Sequence, residues 1–127
     1  MNEAVLDASA VLALLREEPG SKAVEGYLSR AVMSTVNFSE VIAQLVKYGM
    51  PEKLALTTIS NLSLRIIAFD EEAAYQAAIL VKTTQAVGLS LGDRACLALA
   101  YTLKKPAITA DKHWTKLNID IEIKLIR

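Results

Sequence analysis

Four acids in this chain stand where carboxylates can act together: Asp7, Glu40, Asp93 and Asp111. Asp7 ends the short apolar run Ala4-Val5-Leu6, and Asp111 ends Ala107-Ile108-Thr109-Ala110. Glu40 and Asp93 lie near the starts of two helical stretches, in Asn37-Phe38-Ser39-Glu40-Val41 and Ser90-Leu91-Gly92-Asp93-Arg94. In a parallel α/β sheet, strand ends and the starts of the following helices gather at one edge, where ligands bind. Carboxylates crowded there repel one another unless a cation binds between them. Hard divalent ions such as Mg2+ or Mn2+ suit an oxygen-only donor set. Such an ion activates water, neutralises phosphate charge and stabilises a leaving oxygen.

Each acid also has a local reading. Asp7 or Ser9 is a natural cap for the helix that follows, and Asp111 for the turn after it. Ser90 with Asp93 three residues on has the form of a capping box. Glu40 fits a solvated helix face, and Asn37 fits a local hydrogen bond or a cap. His113 is the single histidine, so a ribonuclease built on paired histidines has no second partner here. An aspartyl nucleophile at Asp7 is a further option, although haloacid-dehalogenase-like enzymes want a second acid where this chain has Ser9. Arg94, Lys112 and Lys116 lie near the acids in sequence and suit either phosphate contacts or plain solvation.

The elements that must position these residues alternate strand and helix. Helical periodicity is expected over 8–16, over 21–28 after Pro19-Gly20, and over 36–48 with the stripe Phe38, Val41, Ile42, Leu45 and Val46. Further helices are expected from Pro51 to 62, as one long helix over 70–88, and over 91–105. Strands are expected at 4–6, 31–35, 64–69 and 107–110, with a brief helical piece at 112–116. Residues 119–125 alternate apolar and charged and read as an exposed edge strand. The pattern predicts a single domain over 1–127, a three-layer α/β/α sandwich with a mostly parallel sheet of four or five strands.

Composition narrows the class further. The chain has 127 residues, 53% of them hydrophobic, enough for a real core. Fourteen basic and fourteen acidic residues cancel, so bulk attraction to nucleic acid is excluded and any contact must be local. Lone Cys96 sits in an apolar helical context and reads as a core residue, which fits a reducing cytoplasm. Met1-Asn2-Glu3 is acidic and runs into a strand, unlike a secretory signal, and no apolar run reaches membrane-span length.

Taken in order, these motifs resemble the PIN-domain nucleases, and within them the VapC-type toxins of prokaryotic toxin–antitoxin pairs. Val5-Leu6-Asp7-Ala8-Ser9 looks like the opening acid motif and Asn37-Phe38-Ser39-Glu40-Val41 like the second. Leu91-Gly92-Asp93-Arg94-Ala95 looks like the third, and Thr109-Ala110-Asp111-Lys112-His113-Trp114 like the fourth. The resemblance covers essentially the whole chain. It implies a metal-dependent endoribonuclease with Asp7, Glu40, Asp93 and Asp111 as its acidic quartet around Mg2+ or Mn2+. Ser9, Asn37 and Thr109 would hold the carboxylates or metal waters in place. A homodimer and a cognate VapB-type antitoxin that blocks the site are implied too. His113 departs from the pattern, since family members often carry another acid there. A catalytically silent binding module of the same fold is the alternative.

Overall fold

The computed structural model describes residues 3–127; Met1 and Asn2, read above as part of an acidic start, lie outside the described residues. Three-residue β1 (Ala4–Leu6) feeds α1 (Ala8–Leu15), then α2 (Ser21–Glu25) and a 3-10 turn at Leu28–Arg30. β2 (Ala31–Ser34) passes into α3 (Thr35–Lys47) and α4 (Glu52–Ser60) before β3 (Arg65–Ile67). Helices α5 (Glu71–Ile79), α6 (Val81–Thr84) and α7 (Leu91–Leu103) lead to β4 (Ala107–Thr109), a 3-10 turn at Lys112–Lys116 and β5 (Ile123–Leu125).

All strand pairs are parallel and the order is β3-β2-β1-β4-β5. The chain winds outward from β1 through β2 to β3, then returns to β4 on the other side of β1. The strand order therefore reverses between β1 and β4, and the crevice at their carboxyl ends is where such a sheet binds ligands. Asp7 follows β1 directly, and Asp111 stands two residues beyond β4.

Side-chain alternation along the strands explains why helices cover both faces. Ala4, Leu6, Ala31, Met33 and Ile108 point into one core with Val11, Val41, Leu45 and Ile59 from α1, α3 and α4. Val5, Val32 and Ala107 point the other way, onto Cys96, Leu97 and Ala100 of α7 and onto Trp114. Cys96 is fully buried, as its sequence context implied. Among the described residues no helix is long and apolar enough to cross a membrane.

Two elements differ from the sequence expectation. The long helix over 70–88 breaks at Leu80, where α5 gives way to α6. The hydroxyls of Thr83 and Thr84 both donate to the Leu80 carbonyl, at 3.3 and 2.8 Å, a back-bonding that bends helices, while that carbonyl keeps its ladder bond from Thr84 N at 3.0 Å. The edge strand expected over 119–125 is laddered only at Ile123–Leu125, because its partner β4 offers three residues. Ile119 and Ile121 keep their inward alternation and pack against the second core, to which Trp114 belongs.

Candidate functional site

Asp7 leaves β1 in extended backbone and takes the N-cap position of α1, yet its side chain makes no capping bond. Its Oδ2 instead accepts the Ser9 hydroxyl at 2.7 Å and the Thr109 hydroxyl at 3.0 Å. Each hydroxyl accepts a backbone N–H from the segment leaving β4: Ala110 N to Ser9 at 3.0 Å, and Asp111 N to Thr109 at 3.1 Å. The N–H groups fix the hydroxyls' acceptor sides, so both O–H bonds aim at one carboxylate oxygen. The first and fourth motifs are thus one hydrogen-bonded unit spanning β1 and β4. Asp7 is only 5% exposed. Burial pushes its carboxyl up from 3.8 to about 6, the charges of Asp93 and Glu40 raise it too, and the Ser9 and Thr109 hydroxyls oppose the rise.

The second and third motifs join across α3 and α7. Ser34 caps α3 by accepting from Val36 N, so the capping role open to Asn37 falls to Ser34. Asn37 is fully buried within α3. Its Nδ2 donates to Glu40 Oε1 at 2.8 Å and to the Gly92 carbonyl at 3.0 Å. Burial raises the Glu40 carboxyl above its ordinary value; Asn37 opposes this and the Asp93 charge adds to it. Asp93 stands in the first turn of α7 as half of a full capping box, accepting from Ser90 N at 3.0 Å while Ser90 accepts from Asp93 N at 3.2 Å. Asp111 caps the 3-10 turn at 2.9 Å from His113 N and pairs with His113 Nδ1 at 3.0 Å.

The fold brings all four acids to one pocket of about 390 Å³ at the switch point, lined also by Ser9 and Gln44. Their oxygens do not close on a point: among the described residues no three His, Cys, Asp or Glu side chains form a ready metal cage. Local partners explain the spread, since Asp93 and Asp111 are turned back onto their own helical turns. The donor set nevertheless suits a hard cation. It is all oxygen, it is partly desolvated, and the charge of Asp93 raises the proton affinity of both Asp7 and Glu40.

Of the basic candidates, Lys112 and Lys116 are exposed on the turn that follows Asp111. Arg94 points elsewhere: its Nη1 donates to the Ala77 carbonyl at 2.9 Å, tying α7 to α5. Sequence reasoning did not single out Gly92, which lies directly against Glu40. A glycine in the first turn of a helix, where it is disfavoured, was the available signal.

An acid-lined pocket at the switch point of a parallel α/β sheet is the arrangement on which the comparisons bear. The PIN domain family model matches residues 4–119, and the chain belongs to the PIN domain family. Among solved structures it is similar to a chain of DNA-bound VapBC from Salmonella typhimurium, with TM-score 0.77, 16% identity and 100% of both chains covered. It is also similar to a chain of a toxin–antitoxin complex from Klebsiella pneumoniae, with TM-score 0.76, 22% identity and 98% of each chain covered. A third is VapBC2 from Rickettsia felis bound to a promoter DNA fragment, with TM-score 0.74, 14% identity, and 96% of this chain and 97% of that chain covered. No curated protein sequence matches the chain.

Proposed function

We propose that this protein is a metal-dependent endoribonuclease and the toxin of a VapBC-type toxin–antitoxin pair. The observation that carries the reading is the convergence of Asp7, Glu40, Asp93 and Asp111 on one pocket at the switch point. These four residues would hold Mg2+ or Mn2+. When bound, the ion supplies water activation and neutralises phosphate charge for hydrolysis of an RNA phosphodiester bond.

The chain's own residues prepare that chemistry. Ser9 and Thr109 lock one oxygen of Asp7, and Asn37 holds Glu40, so both acids are oriented before anything binds. Asp93 spends only Oδ2 on its capping box, so its other oxygen would be available to the ion. Lys112 and Lys116 meet RNA phosphates beside Asp111, while Arg94 serves by bracing α7 on α5.

The partners in this reading are an RNA substrate, a VapB-type antitoxin and a second copy of the chain, in the cytoplasm. Exposed apolar side chains support protein partners: Leu54 and Leu56 on α4, and Tyr75, Ile79 and Tyr101 on the paired helices α5 and α7. A silent binding module has one observation in its favour, the retraction of Asp93 and Asp111 into caps. The test is cleavage of a mixed structured RNA pool by the wild type, Asp7→Ala and Asp93→Asn, with Mg2+, Mn2+ or chelator and with folding checked by circular dichroism. Metal-dependent cuts lost in both folded variants are expected. Cuts that persist in the variants would overturn the site assignment, and a metal-loaded wild type that cleaves nothing would favour the silent module.

A further inference from the structure

We propose that Gly92 is a positioning residue for Glu40: its missing side chain is the space that the Glu40 carboxylate occupies. The inference rests on the reading of Glu40 as part of the acidic site and adds the residue that decides where its carboxylate can sit.

A Cβ built on Gly92 would overlap both carboxylate oxygens and Cδ of Glu40, and those are its nearest neighbours. Nothing in the backbone itself demands glycine there. Gly92 is buried in the first turn of α7, and it is not among the residues with positive φ. Glycine weakens a helix relative to alanine by exposing backbone and adding chain entropy. The position therefore carries a residue that is poor for its helix and suited only to its neighbour.

Asn37 shows how close the fit is. One amide nitrogen donates both to Glu40 Oε1 and to the carbonyl of Gly92. The carboxylate and the α7 backbone thus share a donor, and the carboxylate lies against the helix with no side chain between. Any Cβ at position 92 drives the carboxylate away, because the end of a glutamate side chain yields more readily than a helix backbone. Alanine would then leave the fold intact while moving Glu40 off Asn37 and out of line with Asp7 and Asp93.

The experiment compares the wild type, Gly92→Ala, Glu40→Asp and the double variant by Mn2+ titration, thermal melting without metal, and a crystal structure of Gly92→Ala. The expected single variant melts at or above the wild-type temperature, binds Mn2+ about 10–100-fold more weakly, and shows Glu40 displaced from Asn37. Shortening the acid removes the clash, so the double variant is expected to lose less than the product of the two single losses. Wild-type Mn2+ affinity in Gly92→Ala with Glu40 still on Asn37, or independent losses in the double variant, would overturn the assignment. A wild type that binds no Mn2+ overturns the metal reading instead, and the position of Glu40 in the Gly92→Ala crystal then decides the claim about Gly92.

Discussion

Asp7→Asn should make the metal-free protein more stable at neutral pH while removing its activity. The native carboxyl of Asp7 titrates at about 6 against an ordinary 3.8, chiefly because burial disfavours its charge. A raised acid binds its proton more tightly in the native than in the unfolded state. The resulting stabilisation is complete below about pH 3.8 and is lost as pH rises through about 6. At about 1.4 kcal/mol per pH unit, that loss comes to about 3 kcal/mol at neutral pH.

Asparagine keeps an oxygen where Oδ2 accepts from Ser9 and Thr109, and it carries no charge to desolvate. The preference of those two hydroxyls for the charged acid is already contained in the value of about 6, so the net gain stays at about 3 kcal/mol. For a domain of this size the gain is roughly 10–15 °C in Tm. Urea melts of chelator-treated protein between about pH 4 and about pH 7.5 read it directly, and the gap should narrow as pH falls. Saturating Mn2+ should reverse the order, since about 1,000 Kd of ligand adds about 4.1 kcal/mol to a wild type that binds it. An Asp7→Asn variant less stable than wild type at neutral pH, or a gap that ignores pH, would refute the burial argument.

Other substitutions separate the site from its support. Ser9→Ala removes a hydroxyl that lowers the Asp7 carboxyl and strands the Ala110 N–H; the Asp7 midpoint, followed by NMR without metal, should move further up, with a stability loss of about 1–3 kcal/mol. Asn37→Ala releases Glu40 and unties α3 from Gly92, so metal affinity should fall by about 10–100-fold in a titration. Trp114→Ala empties the centre of the second core and should cost about 3–5 kcal/mol in denaturant melts. His113→Ala removes an exposed partner of Asp111, and its Tm should stay close to wild type because exposed pairs contribute roughly 0–1 kcal/mol.

The parallel sheet and its acid-bearing edge were legible from sequence because period and position coincide. Ala4-Val5-Leu6 stops at Asp7 just where an apolar helix begins, and Ala107-Ile108-Thr109 leads to Asp111 in the same way. The capping alternatives were legible as well, and the structure divides them. Asp93 and Asp111 do cap their turns, whereas Asp7 gives its carboxylate to two hydroxyls. That difference depends on Thr109, which lies a hundred residues from Ser9 in sequence, so no local pattern contains it. The break at Leu80 was missed because neither glycine nor proline marks it; what accompanies it is two threonine hydroxyls back-bonded to one carbonyl. The contact between Gly92 and Glu40 is likewise tertiary, visible only once α3 and α7 meet.

The proposed activity requires the four strand-end and helix-start acids to hold divalent metal in one pocket. Anomalous diffraction at the manganese edge, from wild-type crystals soaked in Mn2+, tests this most directly. A peak is expected in the pocket lined by Asp7, Glu40, Asp93 and Asp111, with no such peak in Asp7→Asn crystals. Saturating Mn2+ with no density in that pocket, or the same peak in Asp7→Asn, would contradict it.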